Sequence, residues 1–230
     1  MDGSALPPQG GTLRQHIERD AAGPRHLQCR EHEQKVWNIV LQLARGLAHM
    51  HRPHQVRDAD NMPLYDASNK PIFEPIIHCD LKPDNILMCD KGTTFKIGDL
   101  GLATPVSQWQ EGMEGDPCYL SKDLIQYKPS TAADIFSFGI MIYQIVSGEQ
   151  LLGQGERWEQ LRTADPTDPS GSKPFVPPPS TASPRMQQLI SRTMSPSPAA
   201  RLTASSILKL TQEATVEAAQ QGAIGRVRRI

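Results

Sequence analysis

Between Ile135 and Val146 almost every residue is apolar: Ile135, Phe136, Phe138, Ile140, Met141, Ile142, Tyr143, Ile145 and Val146. Ser130 or Thr131 can cap the start and Gly148 the end, so the stretch predicts a helix. A helix that is apolar on every side has no face to offer water and must be enclosed by other elements. It is also far shorter than the roughly 20 residues that cross a bilayer. The chain is therefore expected to be globular and wrapped around this segment.

The balance of charge narrows the function classes. Among 230 residues, 24 basic side chains nearly cancel 25 acidic ones, so no net field draws the chain to nucleic acid or to an anionic membrane. Cys29, Cys79, Cys89 and Cys118 are scattered without a C-x-x-C pair, which argues against a zinc ribbon or a disulfide scaffold and for a reducing, intracellular setting in nucleus or cytoplasm. No apolar run follows a basic start, so no leader or membrane span is expected.

Apolar residues Val36, Ile39, Val40, Leu43, Leu47 and Met50 recur at helical spacing and predict a long amphipathic helix from Glu31 to Met50. His49, His51 and His54 crowd its end; with no carboxylate or cysteine set beside them they read as packing or capping residues rather than a metal site. Residues Arg52 to Pro75 are polar, contain proline and show no periodicity, which predicts a long surface loop. Ala164 to Pro184 hold seven prolines and predict an irregular connection. Met186, Leu189, Ile190 and Met194 mark one further amphipathic helix, and Ile207, Leu208 and Leu210 after Thr203 another. No internal repeat is expected.

Ile86-Leu87-Met88, a turn signal at Cys89 to Gly92, and Thr93 to Ile97 predict a hairpin. Asn85 leads into the outgoing strand and Asp99 follows the returning one, so antiparallel pairing brings an amide oxygen and a carboxylate to one mouth. With phosphates and water completing the shell, that pair suits a hard octahedral cation such as Mg²⁺. Asp80 and Lys82 lie just upstream at the same mouth. A carboxylate, an ammonium and a cation site together suit phosphoryl transfer.

The string His78-Cys79-Asp80-Leu81-Lys82-Pro83-Asp84-Asn85 resembles the protein-kinase catalytic loop H-R-D-x-x-x-x-N, and Asp99-Leu100-Gly101 resembles D-F-G. Pro117 to Leu124 is similar to the end of an activation segment, Asp134 to Gly139 to the buried helix after it, and Arg201 to the family's late structural arginine. A finer resemblance is to the Wee family, kinases that hold cyclin-dependent kinases inactive. It is carried by Phe95 to Gly101, Glu114-Gly115-Asp116, Ala133 to Phe136, and Trp158 in its setting from Gly155 to Arg162.

The resemblance implies an α+β protein-kinase-like fold over residues 10–210, corresponding to the mainly α C-terminal lobe with its short active-site hairpin and without an N-terminal lobe. Residues 53–75 would be a surface-loop insertion and 211–230 a tail. It implies ATP and Mg²⁺ as cofactors and a protein substrate, a cyclin-dependent kinase on the finer resemblance. Asp80 would accept the substrate hydroxyl proton, Lys82 would steady the γ-phosphate, Asn85 and Asp99 would hold Mg²⁺, and Leu87 would floor the adenine. His78 is expected to pack and hydrogen-bond, and Asp134 to be buried and to accept catalytic-loop N–H groups. Asp123, one methylene shorter than the family's usual glutamate, is expected to pair with Arg201 less easily. Lys82 leaves open whether the acceptor is Ser, Thr or Tyr.

A kinase also needs a Gly-rich loop and a strand lysine. Gly10-Gly11 lacks the G-x-G-x-x-G pattern, and neither Lys35 nor Lys70 follows a V-A-I-like strand. The chain is thus expected to be either a fragment or a member that has lost catalysis and serves as a pseudokinase scaffold or binding module. Retention of Asp80, Lys82, Asn85 and Asp99 together favours the former. Cys79 stands where many kinases use an arginine to grip a phosphorylated activation segment. Residues 99–123 are therefore expected to reach their working shape without phosphorylation, through contacts around Glu114, Gly115 and Asp116, with Thr104 and Ser107 dispensable.

Overall fold

The computed structural model describes residues 11–21, 30–163 and 182–212. Most of the proline-rich connection, residue 10 and the tail beyond residue 212 lie outside the described residues. In chain order come α1 (Leu13–Ala21), α2 (Arg30–Met50), β1 (His54–Gln55), β2 (Phe73–Glu74), β3 (Ile76–Ile77), β4 (Ile86–Cys89), β5 (Thr94–Ile97) and β6 (Thr104–Pro105). There follow α3 (Lys122–Ile125), α4 (Thr131–Ser147), α5 (Glu156–Thr163), α6 (Pro184–Thr193) and α7, residues 204–212. No helix among the described residues is long and apolar enough to cross a membrane.

The apolar helix behaves as its sequence demands: every residue of α4 from Ala133 to Val146 is buried, and Gly148 closes it in the left-handed conformation at φ 66°. Ser130 stands at its N-cap without a capping side-chain bond. α2 lays Val36, Ile39, Val40, Leu43 and Leu47 against α4, β5 and the rest of the core. On the other flank α6 packs on α4 so closely that a Cβ on Gly139 would lie 2.4 Å from Thr193 Oγ1. Glycine inside a helix costs about 1 kcal/mol relative to alanine, here offset by the close approach that it permits. Ser183 and Pro184 start α6 and the Thr203 hydroxyl caps α7 by accepting the Ser206 N–H at 3.1 Å.

Two sequence expectations are corrected. Residues 54–75 are largely exposed, as a surface loop would be, but they form a hydrogen-bonded meander, and they contain a repeat where none is expected. Asp58 and Asp66, Ala59 and Ala67, Asn61 and Asn69, and Pro63 and Pro71 recur eight residues apart. Each aspartate Oδ1 accepts two backbone N–H groups, from Asp60 and Met62 at 3.0 and 2.8 Å and from Ser68 and Lys70 at 2.8 and 2.9 Å. Each asparagine takes a left-handed φ, 63° and 58°, to turn the chain back. Val56, Leu64 and Ile72 then bond in a closed ring: Val56 N–H to Ile72 O, Leu64 N–H to Val56 O, Ile72 N–H to Leu64 O, at 2.9 to 3.0 Å. With one such apolar position per eight residues, the repeat matches neither strand nor helix periodicity.

The second correction concerns Asp123 and Arg201, which close fully. The guanidinium donates to both carboxylate oxygens, at 2.6 and 3.1 Å, and also to Ser195 O and Ala132 O at 2.8 and 2.9 Å. The short helix α3, capped by Ser121, carries the carboxylate to the guanidinium, so backbone placement makes up for the missing methylene.

Candidate active site

β4 and β5 pair antiparallel with Ile86 opposite Ile97, and the ladder continues one step to a Gly98 N–H bond to Asn85 O at 2.8 Å. Asn85 and Asp99 thus emerge at the same end of the hairpin, as expected. Leu87 is half-buried between the buried Ile86 and Met88. A Cβ on Gly98 would lie 3.0 Å from the Leu87 side chain.

The loop before the hairpin is fixed from beneath by α4. Asp134, 2% exposed, accepts the His78 N–H at 2.9 Å and the Cys79 N–H at 3.2 Å, and its Oδ2 also meets His51 Nε2 at 2.9 Å. A buried carboxylate with three such partners satisfies the loop's backbone and itself. His78 is buried, with Nε2 3.0 Å from Gly98 O, which ties the loop to the hairpin; it has a packing role. His54 Nε2 meets His49 O at 2.8 Å, and no cluster of three or more His, Cys, Asp or Glu side chains that could hold a metal ion is found among the described residues.

Asp80 is the point of convergence. Its Oδ1 accepts the Asp116 N–H at 2.9 Å; its Oδ2 accepts Asn85 Nδ2 at 2.9 Å and lies 2.8 Å from Lys82 Nζ. Asn85 Nδ2 also donates to Asp80 O at 2.8 Å, which commits the amide nitrogen and leaves the oxygen for a cation. Burial alone would lower the Lys82 pKa, but the hydrogen bond and charge of Asp80 outweigh it and the ammonium is held above its ordinary range. Asp99 is not bonded to this network: it is exposed, and its Oδ1 accepts the Gly101 N–H at 3.4 Å. Cys79 and Asp99 both hold left-handed φ, 67° and 52°, a strain of about 1–3 kcal/mol each that concentrates at this mouth.

Gly115, singled out in the sequence with Glu114 and Asp116, packs against Asp80 so tightly that a Cβ would lie 2.3 Å from Oδ1 and 2.6 Å from Cγ. Other contributors were not legible in the sequence. Arg14 in α1 donates to Asp84 at 3.2 Å and to the Tyr119 hydroxyl at 2.7 Å, which in turn donates to Gln144 of α4 at 2.8 Å. Arg162 is buried against carbonyls alone, donating to Leu120 O, Cys118 O and Pro117 O at 2.7 to 3.1 Å while stacking 4.1 Å over Trp158. Burial pulls its pKa down to about 10. Apart from Trp158, which neighbours Arg162 on one helix, these partners lie 25 to 105 residues apart in sequence, where no spacing rule reaches.

The protein kinase domain matches over residues 8–211. The chain belongs to the protein kinase family. Among curated relatives, this kinase chain is 32% identical over 163 residues to the mitosis inhibitor protein kinase SWE1 of Candida albicans, covering 70% of this chain and 12% of that protein. It is 31% identical over 180 residues to the membrane-associated tyrosine- and threonine-specific cdc2-inhibitory kinase of Drosophila melanogaster, covering 76% and 28%. With Wee1-like protein kinase 2 of Sus scrofa it shares 28% over 224 residues, 87% and 34% of the two chains. The kinase resembles the Wee group accordingly. It spans less than half the length of these relatives.

Two outcomes are expected of this kinase site. Gly115→Ala should push the segment and Asp80 apart, lowering the melting temperature by an overpacking cost of about 1–3 kcal/mol and, in protein carrying both lobes, costing about 100-fold in the phosphoryl transfer proposed below, since misplacement by 1 Å carries a penalty of that order. A steady-state assay beside a thermal melt checks it. Cys79, buried and flanked by Asp134, Glu114 and Asp80, has its thiol pKa pushed up to about 12. About one molecule in ten thousand would carry the thiolate at pH 8, so iodoacetamide should spare Cys79 in the folded protein and modify it after denaturation. Mass mapping of the labelled cysteines reads the result.

Proposed function

We propose that residues 10–210 are the mainly helical C-terminal lobe of an ATP- and Mg²⁺-dependent kinase that transfers the γ-phosphate to a protein hydroxyl. The observation that carries this reading is the convergence of Lys82, Asn85 and the Asp116 N–H on the Asp80 carboxylate. In this reading Asp80 orients a hydroxyl and accepts its proton. Lys82, held protonated by Asp80, steadies the γ-phosphate, and the half-buried Leu87 forms the apolar floor under adenine. Asn85 Oδ1 and the exposed Asp99 carboxylate are the oxygen donors that a divalent cation prefers. When bound, Mg²⁺ supplies charge neutralisation on the phosphates. The second lobe, with a Gly-rich loop and strand lysine, is assigned to sequence outside these residues. A scaffold would need none of this set to survive together.

The Wee-group similarity supports a cyclin-dependent kinase as substrate and a cell-cycle role, with tyrosine, threonine or serine as acceptor. Free thiols at Cys79, Cys89 and Cys118 fit an intracellular, nuclear or cytoplasmic, setting. In protein carrying both lobes, Asp99→Ala is expected to abolish the Mg²⁺ dependence of ATP binding, a weakening of about tenfold or more, because one ligand and its charge vanish. Calorimetric titration with and without Mg²⁺ decides it; equal ATP affinity under both conditions in the unsubstituted protein would remove Asp99 from the metal site.

A further inference from the structure

For Asp116 to reach Asp80, the chain between Asp99 and Asp123 must be ordered, and its middle is clasped by the 54–75 meander. β6 pairs with β3 immediately after the meander ends. The next three residues each bond to it: Val106 N–H to Pro75 O at 3.3 Å, Ser107 N–H to Glu74 Oε2 at 2.9 Å, and Gln108 Nε2 to Arg57 O at 3.1 Å. Trp109 then packs on the small cluster of Leu120, Leu124 and Ala133, and Tyr127 lies beside it at 6.1 Å between ring centroids. Tyr127 in turn donates to Glu111 at 2.8 Å, and the Gly112 N–H to Glu114 at 2.8 Å, carrying the order on towards Gly115.

We propose that the meander is a built-in splint that holds residues 104–109 in the substrate-accepting arrangement, with Glu74 and Gln108 as positioning residues and no added phosphate required. The inference rests on the kinase reading above. Phosphate groups have poor places to act here. Thr104 is buried in β6, its hydroxyl turned to Pro105 O at 3.4 Å. Ser107 is exposed, but a phosphate on it would sit beside the Glu74 carboxylate that its own amide grips, and like charges would loosen the clasp. Cys79 is buried and offers no cation to a phosphorylated segment.

Hydrogen exchange read by mass spectrometry tests the splint directly. Loss of one such bond frees the Ser107 amide, so Glu74→Ala and Glu74→Ala/Gln108→Ala should speed exchange over residues 104–109 by about tenfold, with α4 unchanged. Glu74→Gln, which keeps an acceptor oxygen, should stay near the parent. Phosphatase treatment should leave exchange unaltered. In protein with both lobes, the double variant should raise KM for the protein substrate more than it lowers kcat. Should Glu74→Ala disturb α4 as well, Gln108→Ala alone still reports, because it removes one rim contact. Unchanged exchange in the double variant, or faster exchange at 104–109 after phosphatase treatment of the parent, overturns the splint. A parent without kinase activity whose exchange nevertheless responds as described sustains the splint while overturning the kinase reading.

Discussion

Asp80→Asn, in protein carrying both kinase lobes, is expected to lower single-turnover phosphoryl transfer by about 1000-fold while changing ATP affinity less than about threefold. Three donors point at this carboxylate: the Asp116 N–H, Asn85 Nδ2 and Lys82 Nζ. A carboxamide of the same shape keeps one acceptor oxygen and turns an N–H₂ towards one of those donors. It therefore loses the proton acceptor and also weakens the hold on Asp116. Nucleotide contacts are assigned to other residues, so binding survives. Quench-flow with a protein substrate, beside an ATP titration, measures both quantities. A variant that kept more than about a third of its turnover would take Asp80 out of the base role.

The second large effect is on stability. Asp123→Ala leaves the Arg201 guanidinium, whose side chain is 1% exposed, without its counter-charge, and breaking a buried pair from one side costs about 3–5 kcal/mol. Arg201→Met strands the Asp123 carboxylate, 8% exposed, and should cost a similar amount, although Phe136, 5.1 Å beneath the guanidinium, accepts the apolar replacement. The double variant should recover much of the Asp123→Ala loss, since no charge is left stranded. Urea denaturation of the four proteins gives the coupling energy. Losses below about 1 kcal/mol in both single variants would mean that the pair does not hold α3 to the domain.

The elements legible in the sequence were those whose cause is local. Apolar residues in unbroken or helical succession fixed α2 and α4, and the turn between two β-prone runs fixed the β4–β5 hairpin, which by its pairing alone brought Asn85 and Asp99 together. Asp80 and Lys82 were read from their spacing to Asn85. What escaped was nonlocal. His51, singled out as one of a crowded trio, turns out to be a partner of Asp134, 83 residues away. Arg162 looks like an ordinary surface charge of a short helix until the carbonyls of residues 117–120 fold over it. The meander was missed for a different reason: its order is backbone-to-backbone and aspartate-to-backbone, and neither leaves an apolar rhythm.

That meander has a consequence for how this stretch of chain can vary over time. Its ring of Val56, Leu64 and Ile72 spends each donor on the next acceptor and closes after three members, so a fourth repeat would find no vacancy, whereas a change in either turn tip would disturb nothing within the ring. Because β1 and β2 pair side by side, the chain leaves and returns at one point. The path resumed at Ile76, two residues ahead of His78, is the same whatever the tips at Ala59 and Ala67 become. The tips are free to diverge in sequence while the ring and the stem beneath them, neighbours of the catalytic loop, stay bound to their register.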